Sequence, residues 1–363
     1  MLRSKIFCLL LLVNLLVLGC KEKGVEVKPP KDPRTYIWTA DTLGYPGSFQ
    51  TLMYDMWGSS PTDVYTVGHA SANDGVMWHY DGNNWHDVVL SESKGGQIPG
   101  AFELTSVFGF NSSDIYAAGE RLRTNPNPPP NFIDSSLIIH FDGSTAWRKV
   151  NVYNGRLIGD IYGSSQSDIW AAGRGNLLNH FNGNYWKKDT LILFVPNGYD
   201  FSINSISSYN SNNFLTASAY NSNNGDQNYY FIGHVNNTWI VIDSFNVDGL
   251  NFKFGFKLNQ SDNLDLYSYG GGGIFKYNGA AWINVFQLAA PISGMWAQSA
   301  NNIFAVGNGG RAYHYNGTDW KQIVALNNSQ TDYWAVWTDG TEAFVAGSIF
   351  ADGVQKTIVW HGR

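Results

Sequence analysis

Trp57-Gly58-Ser59-Ser60-Pro61-Thr62-Asp63-Val64-Tyr65-Thr66-Val67-Gly68 decides how this chain is read, because it recurs. A close copy is Tyr162-Gly163-Ser164-Ser165 followed by Asp168-Ile169-Trp170-Ala171-Ala172-Gly173. Each copy continues to a second signature: Val76-Met77-Trp78-His79-Tyr80-Asp81-Gly82 with Trp85 in one, His180-Phe181-Asn182-Gly183 with Trp186 in the other. Between these copies lies one with Phe108-Gly109, Asp114-Ile115-Tyr116-Ala117-Ala118-Gly119, His140-Phe141-Asp142-Gly143 and Trp147. A sixth has Trp296, Asn302-Ile303-Phe304-Ala305-Val306-Gly307, His314-Tyr315-Asn316-Gly317 and Trp320.

Three copies depart from this template. The fourth keeps Asn213-Phe214-Leu215-Thr216-Ala217, His234 and Trp239 but has Ser218 where glycine is expected. The fifth keeps Asp265-Leu266-Tyr267-Ser268-Tyr269-Gly270, then Lys276-Tyr277-Asn278-Gly279 and Trp282. The seventh has Trp337, Phe344-Val345-Ala346-Gly347 and Val359-Trp360-His361-Gly362. Each unit reads as four strands. The second is apolar or small on both faces, as a strand covered on both sides requires. The Asp-Gly or Asn-Gly before the fourth strand suits a tight hairpin with positive φ at both turn positions. Four-stranded units of roughly 40–50 residues are the sequence sign of propeller blades.

The seventh copy lacks a fourth strand, and the missing piece stands at the other end. Tyr36-Ile37-Trp38-Thr39-Ala40-Asp41-Thr42-Leu43 is similar to Tyr185-Trp186-Lys187-Lys188-Asp189-Thr190-Leu191. The expected fold is an all-β, seven-bladed β-propeller over residues 36–363, closed by its N-terminal strand, which removes a free sheet edge. The repeats resemble bacterial extracellular propellers of the form WGSSxxDVWAVG…HYDGxxW, distant relatives of the photosystem-assembly and Asp-box propellers. That resemblance implies the fold and says little about function, since the architecture hosts many activities.

The composition agrees with a packed repeat protein. The 363 residues include 14 Trp, 20 Tyr and 21 Phe, with 14 % charged residues and a net charge of −6. Aromatic wealth and low charge exclude a disordered chain, and the acidic balance offers no basic field for nucleic acid. Cys8 and Cys20 cannot form a disulfide framework.

Residues 1–19 read as an export signal: Arg3 and Lys5, then an apolar run from Ile6 to Leu18 that is short for a membrane span. Its end, Val17-Leu18-Gly19-Cys20, resembles the lipobox of bacterial lipoproteins. The resemblance implies cleavage before Cys20 and acylation of that cysteine, placing the protein on a membrane of the cell envelope through palmitate-type chains alone. Lys21 in place of Asp implies the outer membrane where a cell has two. Residues 20–35, with Pro29, Pro30 and Pro33, read as the lipidated cysteine and an extended tether.

Several constellations invite chemistry. His79, His140, His180, His234 and His314 share one repeat position, with Lys276 in the fifth copy. Equivalent positions fall on different blades, ~10 Å or more apart, whereas zinc needs ligands at ~2 Å. They read as packing residues bonded to a nearby turn, and neither a metal nor a cofactor is expected. Asp63, Asp114, Asp168 and Asp265 read as turn caps. A sialidase-like site needs an arginine triad, and the chain after Cys20 holds only Arg34, Arg121, Arg123, Arg148, Arg156, Arg174, Arg311 and Arg363. The hairpin also departs from the Asp-box, since Asp81 stands four residues before Trp85.

In a propeller the turns between strands one and two and between three and four share one face, and here they are short and constant. The loops between strands two and three and the links between blades share the other face and vary widely: Ser91–Leu104, Glu120–Ser135, Leu193–Asn204, Ala219–Tyr229 and Asn246–Phe256. Function favours variable loops on a rigid scaffold. The candidate ligand face is therefore Arg121, Arg123, Phe132, Tyr199, Phe201, Tyr220, Tyr229, Phe252 and Phe350. The expected function is a non-catalytic binding or scaffold module for a protein or glycan. The alternatives are a glycan-processing enzyme working on the variable face and a structural subunit of an envelope complex.

Overall fold

The computed structural model describes residues 31–363 apart from 72–73, 145, 153–154, 190, 192–194, 196, 247–251 and 261–264. The expected export signal, Cys20 and residues 21–30 of the expected tether lie outside the described residues. The compact body runs from Asp32 to Arg363. It is a seven-bladed β-propeller, each blade an antiparallel sheet of four strands in simple up-and-down order. The blades span Thr51–Asp87, Ala101–Lys149, Ile158–Lys188, Asp200–Asn246, Lys257–Gln287, Ile292–Gln322 and Asp332–Gly362. The seventh receives its outer strand from the N-terminus: Trp38–Leu43 pairs antiparallel with Val354–Gly362, from Trp38 opposite Gly362 to Leu43 opposite Thr357. Among the described residues no helix is long and apolar enough to cross a membrane.

Second strands are buried almost throughout, Leu266–Gly270 at every position, because neighbouring blades cover both their faces. The buried side chains sort into seven clusters, each spanning two adjacent blades. The core is thus a set of wedges between sheets. The template Trp and Gly make one contact of each wedge. Trp57 of the first blade lies over Gly109 of the second, whose Cβ would meet the indole at 2.6 Å. Trp337 of the seventh covers Gly58 of the first.

The template glycine ending strand two has a different cause. A Cβ on Gly68, Gly119 or Gly173 would sit 1.8–2.0 Å from the carbonyl oxygen of Leu52, Glu103 or Leu157 in the innermost strand. Just after each of these residues the innermost strand bulges, between Met53 and Asp55, Leu104 and Ser106, and Ile158 and Asp160. The same bulge recurs in blades four, six and seven. The fifth blade pairs Lys257–Gln260 without one.

Three expectations change. The hairpin between strands three and four is a four-residue loop, with Tyr80 opposite Trp85. Only Gly82 has positive φ, at 94°. Asp81 turns the chain by accepting the backbone N–H groups of Asn83 and Asn84, both at 2.8 Å. Second, much of the supposed loop Glu120–Ser135 is β-ribbon, paired out to Thr124 opposite Phe132. Likewise Ala219–Tyr229 is paired out to Tyr220 opposite Gln227. Alternating side chains and complete pairing extend these strands beyond the sheet, as at Ala351 opposite Val354 in blade seven. Third, the Ser91–Leu104 link begins by adding a short fifth strand, Leu90–Ser91, parallel to Trp147–Arg148 on the edge of blade two.

The body begins at Asp32, inside the segment expected to be tether. Pro33–Thr35 forms one 3-10 turn, and the Arg34 guanidinium docks on blade six, 2.8 Å from Asp319 and donating to the His314 carbonyl at 3.1 Å.

Candidate functional site at the mouth of the ring

The repeated histidines form no common centre. The Nε2 of His79 meets Asp63 at 2.7 Å while its ring stacks on Tyr65 at 4.2 Å. His140 with Asp114 and Tyr116, and His180 with Asp168 and Trp170, repeat the geometry. In the fifth blade Lys276 takes the place of histidine, 2.7 Å from Asp265. Burial works to raise the Asp63 carboxyl, but hydrogen bonds from His79 and Ser59 hold it below the usual carboxylate range. Among the described residues no three His, Cys, Asp or Glu side chains converge as metal ligands.

The nine candidate face residues do not form one site. Arg121 is spent internally, 3.1 Å from Glu92, which also holds Lys149 at 3.2 Å. The Arg123 backbone pairs with Ile133 in the long hairpin, and its side chain lies outside what the structure describes. Tyr199 donates its hydroxyl to Asp226, and Phe201 packs beside Tyr230. Tyr229 is buried, stacked between Phe245 at 5.2 Å and Phe256 at 4.8 Å. Phe252 packs against the same aromatics. Tyr229 is thus part of the wedge between blades four and five, with Phe252 packed against it. Phe132, Tyr220 and Phe350 alone remain as exposed apolar tips, 57 %, 44 % and 77 % accessible on blades two, four and seven.

The bulges of the innermost strands place a different set of residues. The inserted residues are Tyr54, Thr105, Gly159, Asn204, Ser293 and Trp334, and all six line one cavity of about 650 Å³ on the variable face. Bulges commonly re-aim side chains beside working sites. Lys257 joins them from the unbulged fifth blade and Arg174 from the third. Among the described residues neither cationic head makes a hydrogen bond or ion pair. The cavity shares Tyr54, Lys257, Tyr269 and Trp334 with the lining of the central channel, of about 340 Å³.

In blades one to four the residue after the bulge lines the channel and ties its blade to the next, and Asn259 does the same from the unbulged fifth blade. Asp55 accepts the Val107 N–H of the second blade at 2.8 Å. Ser106 accepts from Ile161 in the third at 3.4 Å, and Asp160 from Ile206 in the fourth at 2.9 Å. Ser205 accepts from Leu258 in the fifth at 3.1 Å, and Asn259 from Ala297 in the sixth at 3.1 Å. Burial pushes the Asp55 carboxyl up to about 6, against the pull of Lys257. Asp55 and Asp160 are thus committed to backbone donors, which is the arrangement of a structural belt.

Of the nine candidates only Tyr229 also lines the cavity of the mouth; the residues inserted by the bulges were not foreseen, because their identity differs from blade to blade. Aligned repeats do carry a trace. The position four before the template glycine reads Tyr54, Thr105 and Gly159, while the next reads Asp55, Ser106 and Asp160.

Neither a protein-family model nor a curated protein sequence matches the chain. Solved structures do. A structure of YCF48 bound to a D1 peptide superposes with a TM-score of 0.57 at 14 % identity, covering 90 % of this chain and 96 % of that one. YCF48 from Cyanidioschyzon merolae gives 0.54 at 14 %, covering 88 % and 98 %. The WD40 β-propeller domain of Doa1 gives 0.53 at 12 %, covering 89 % and 96 %. At these identities the likeness establishes the class, a β-propeller, and no more.

Proposed function

We propose that this chain is a lipid-anchored binding module of the cell envelope that holds an extended segment of a protein partner across the mouth of the ring and performs no chemistry on it. The observation that carries the reading is the cavity of about 650 Å³, where Tyr54 and Trp334 stand with Arg174 and Lys257. Aromatic faces beside cationic heads suit a peptide with an acidic or carboxylate-bearing residue, since Trp, Tyr and Arg dominate binding hot spots. A propeller of like fold is solved with a bound peptide, which supports a peptide as the partner class. The anchor rests on Val17-Leu18-Gly19-Cys20, and Lys21 favours the outer membrane of a two-membrane cell.

The test is capture of partners from solubilised envelopes by the full-length protein in detergent. Trp334→Ala and Lys257→Ala should each weaken binding of the captured protein at least tenfold with an unchanged melting temperature. Thr62→Ser and Asn83→Ser, on the opposite face, should leave it unchanged. Capture of a glycan, or loss of binding on the opposite face, overturns the reading. Fatty-acid labelling tests the anchor separately: Cys20→Ser should carry no label, and label retained on that variant excludes lipidation there.

A further inference from the structure

The outer strands of the blades are not equivalent. In blades one, three and six they are three residues long and polar after the template tryptophan, Trp85–Asp87, Trp186–Lys188 and Trp320–Gln322, and in blade two the matching Trp147–Lys149 is covered by the two-residue strand Leu90–Ser91. The closing strand Trp38–Leu43 exposes only threonine, alanine and aspartate. Short, charged edges are how sheet proteins keep edges from pairing. Blades four and five break the pattern side by side. Thr238–Asn246 is nine residues long and exposes Ile240, Val241 and Ile242 in a row, and Trp282–Gln287 exposes Ile283 and Val285. These five side chains are 38–51 % accessible.

We infer that this outer band of blades four and five is the interface of a symmetric dimer of this chain. Size and charge both point to a second copy. A nine-residue strand runs about 30 Å, and two neighbouring edges at least ~10 Å apart with their side chains make a patch on the order of 600–800 Å², near the ~800 Å² per partner of a standard interface. Among the described residues its rim carries Asp243 and Lys253, 3.1 Å apart. Each copy therefore offers both signs at one place, which a two-fold axis can match with no like charges forced together, in a chain otherwise acidic. Antiparallel apposition of Thr238–Asn246 about Val241 sets Ile240 against Ile242 and Asp243 against Trp239, again with no like-charge pair. The bulge at Ile242, between the Val241 and Asp243 pairings, leaves the contact to be made by side chains rather than by a continuous hydrogen-bonded ladder. The band lies on the rim of the ring, away from the mouth, so this inference stands apart from the peptide reading.

The experiment uses two differently tagged full-length copies expressed together. A photo-crosslinking residue at Ile240 or Val285 should give an adduct of twice the chain mass carrying both tags. The same residue at Lys188 or Lys321, on the polar edges of blades three and six, should give none. In detergent the two tags should co-purify, and Ile240→Lys with Ile283→Lys should abolish co-purification while Lys188→Glu leaves it intact. Crosslinks to a different protein, equal crosslinking from the polar edges, or no two-tag adduct from either site overturns the dimer. The crosslinks keep the test decisive if the double lysine variant misfolds.

Discussion

The carboxylate of Asp55 in the first blade accepts the backbone N–H of Val107 in the second at 2.8 Å, and that of its neighbour Met56 at 2.9 Å. One side chain thus fixes the inner strand of its own blade and the position of the next. Asp55→Ala leaves two inward N–H groups without an acceptor, and denaturant unfolding should show a loss of about 2–4 kcal/mol. The pH dependence has a distinctive sign. The carboxyl stands raised to about 6 in the folded protein, so the folded state holds its proton more tightly than the unfolded chain. Its contribution to stability is full below about 4 and is lost as pH rises to about 6. Because Asp55 keeps some exposure in the channel, the expected size is about 1 kcal/mol. Asp55→Asn should flatten that interval, and an unchanged slope would contradict the assignment.

His314 acts in the opposite direction over a similar range. Burial, with help from the Arg34 charge, lowers its imidazole to about 4, so the fold keeps it neutral. Protonation of the unfolded chain below about 6.5 then draws the equilibrium toward unfolding, and stability falls as pH drops from about 6.5 to 4. Urea unfolding between pH 7 and 4.5 should show this loss, on the order of 2–3 kcal/mol. His314→Gln should remove most of it, and a variant that keeps the full slope would place the titration elsewhere.

Ring closure depends on Trp38–Leu43. Deleting residues 36–43 removes six ladder pairings with Val354–Gly362 and opens the edge of the last blade. The melting temperature should fall for the whole body in one transition. Deleting residues 21–31 should not move it, and Arg34→Ala should cost about 1–2 kcal/mol through the lost Asp319 pair and packing. Equal melting of both truncations would remove the N-terminal strand from the blade.

Tyr229 and Phe132 separate core from surface among the aromatics of the variable face. Tyr229 is sandwiched between Phe245 and Phe256, so Tyr229→Ala should destabilise by about 3–5 kcal/mol. Phe132→Ala, at an exposed hairpin tip, should stay within about 0.5 kcal/mol of the parent. Differential scanning calorimetry distinguishes the two, and a large loss for Phe132→Ala would mean that the tip packs.

The blade count and the closing strand were legible because both rest on template residues whose spacing survives: Trp57, Gly68, Asp81 and Trp85, and the match of Trp38 to Trp186. Gly68 is a template residue because only a missing Cβ lets the Leu52 carbonyl come so close, yet the glycine does not mark the bulge: blade four bulges with Ser218 in its place and blade five keeps Gly270 without bulging. What the bulge then exposes was not legible. Tyr54 and Trp334 share a structural position but no residue type, and their neighbours in the mouth come from blades far apart in sequence. The nine candidate residues are dispersed for a related reason. Variable length between template segments reads as loop, while the Glu120–Ser135 segment spends its extra residues on paired ribbon and Tyr229 turns inward. Buried and exposed aromatics look alike until the sheet is extended past the template.

The joining of the chain ends orders events in time. The Ile37 N–H donates to the Arg363 carbonyl at 3.0 Å, and the Arg363 N–H to the Ile37 carbonyl at 3.2 Å. The strand synthesised first is therefore the last to find its partner, which does not exist until more than 300 residues later have been made. Until then six blades can stack but the arc stays open, and each early intermediate presents an unfinished flank to chaperones and proteases. Residues near Tyr36 must wait unpaired until Val354–Gly362 has been made, which gives a sequence of threonine, alanine and aspartate between Trp38 and Leu43 an advantage over a stickier strand.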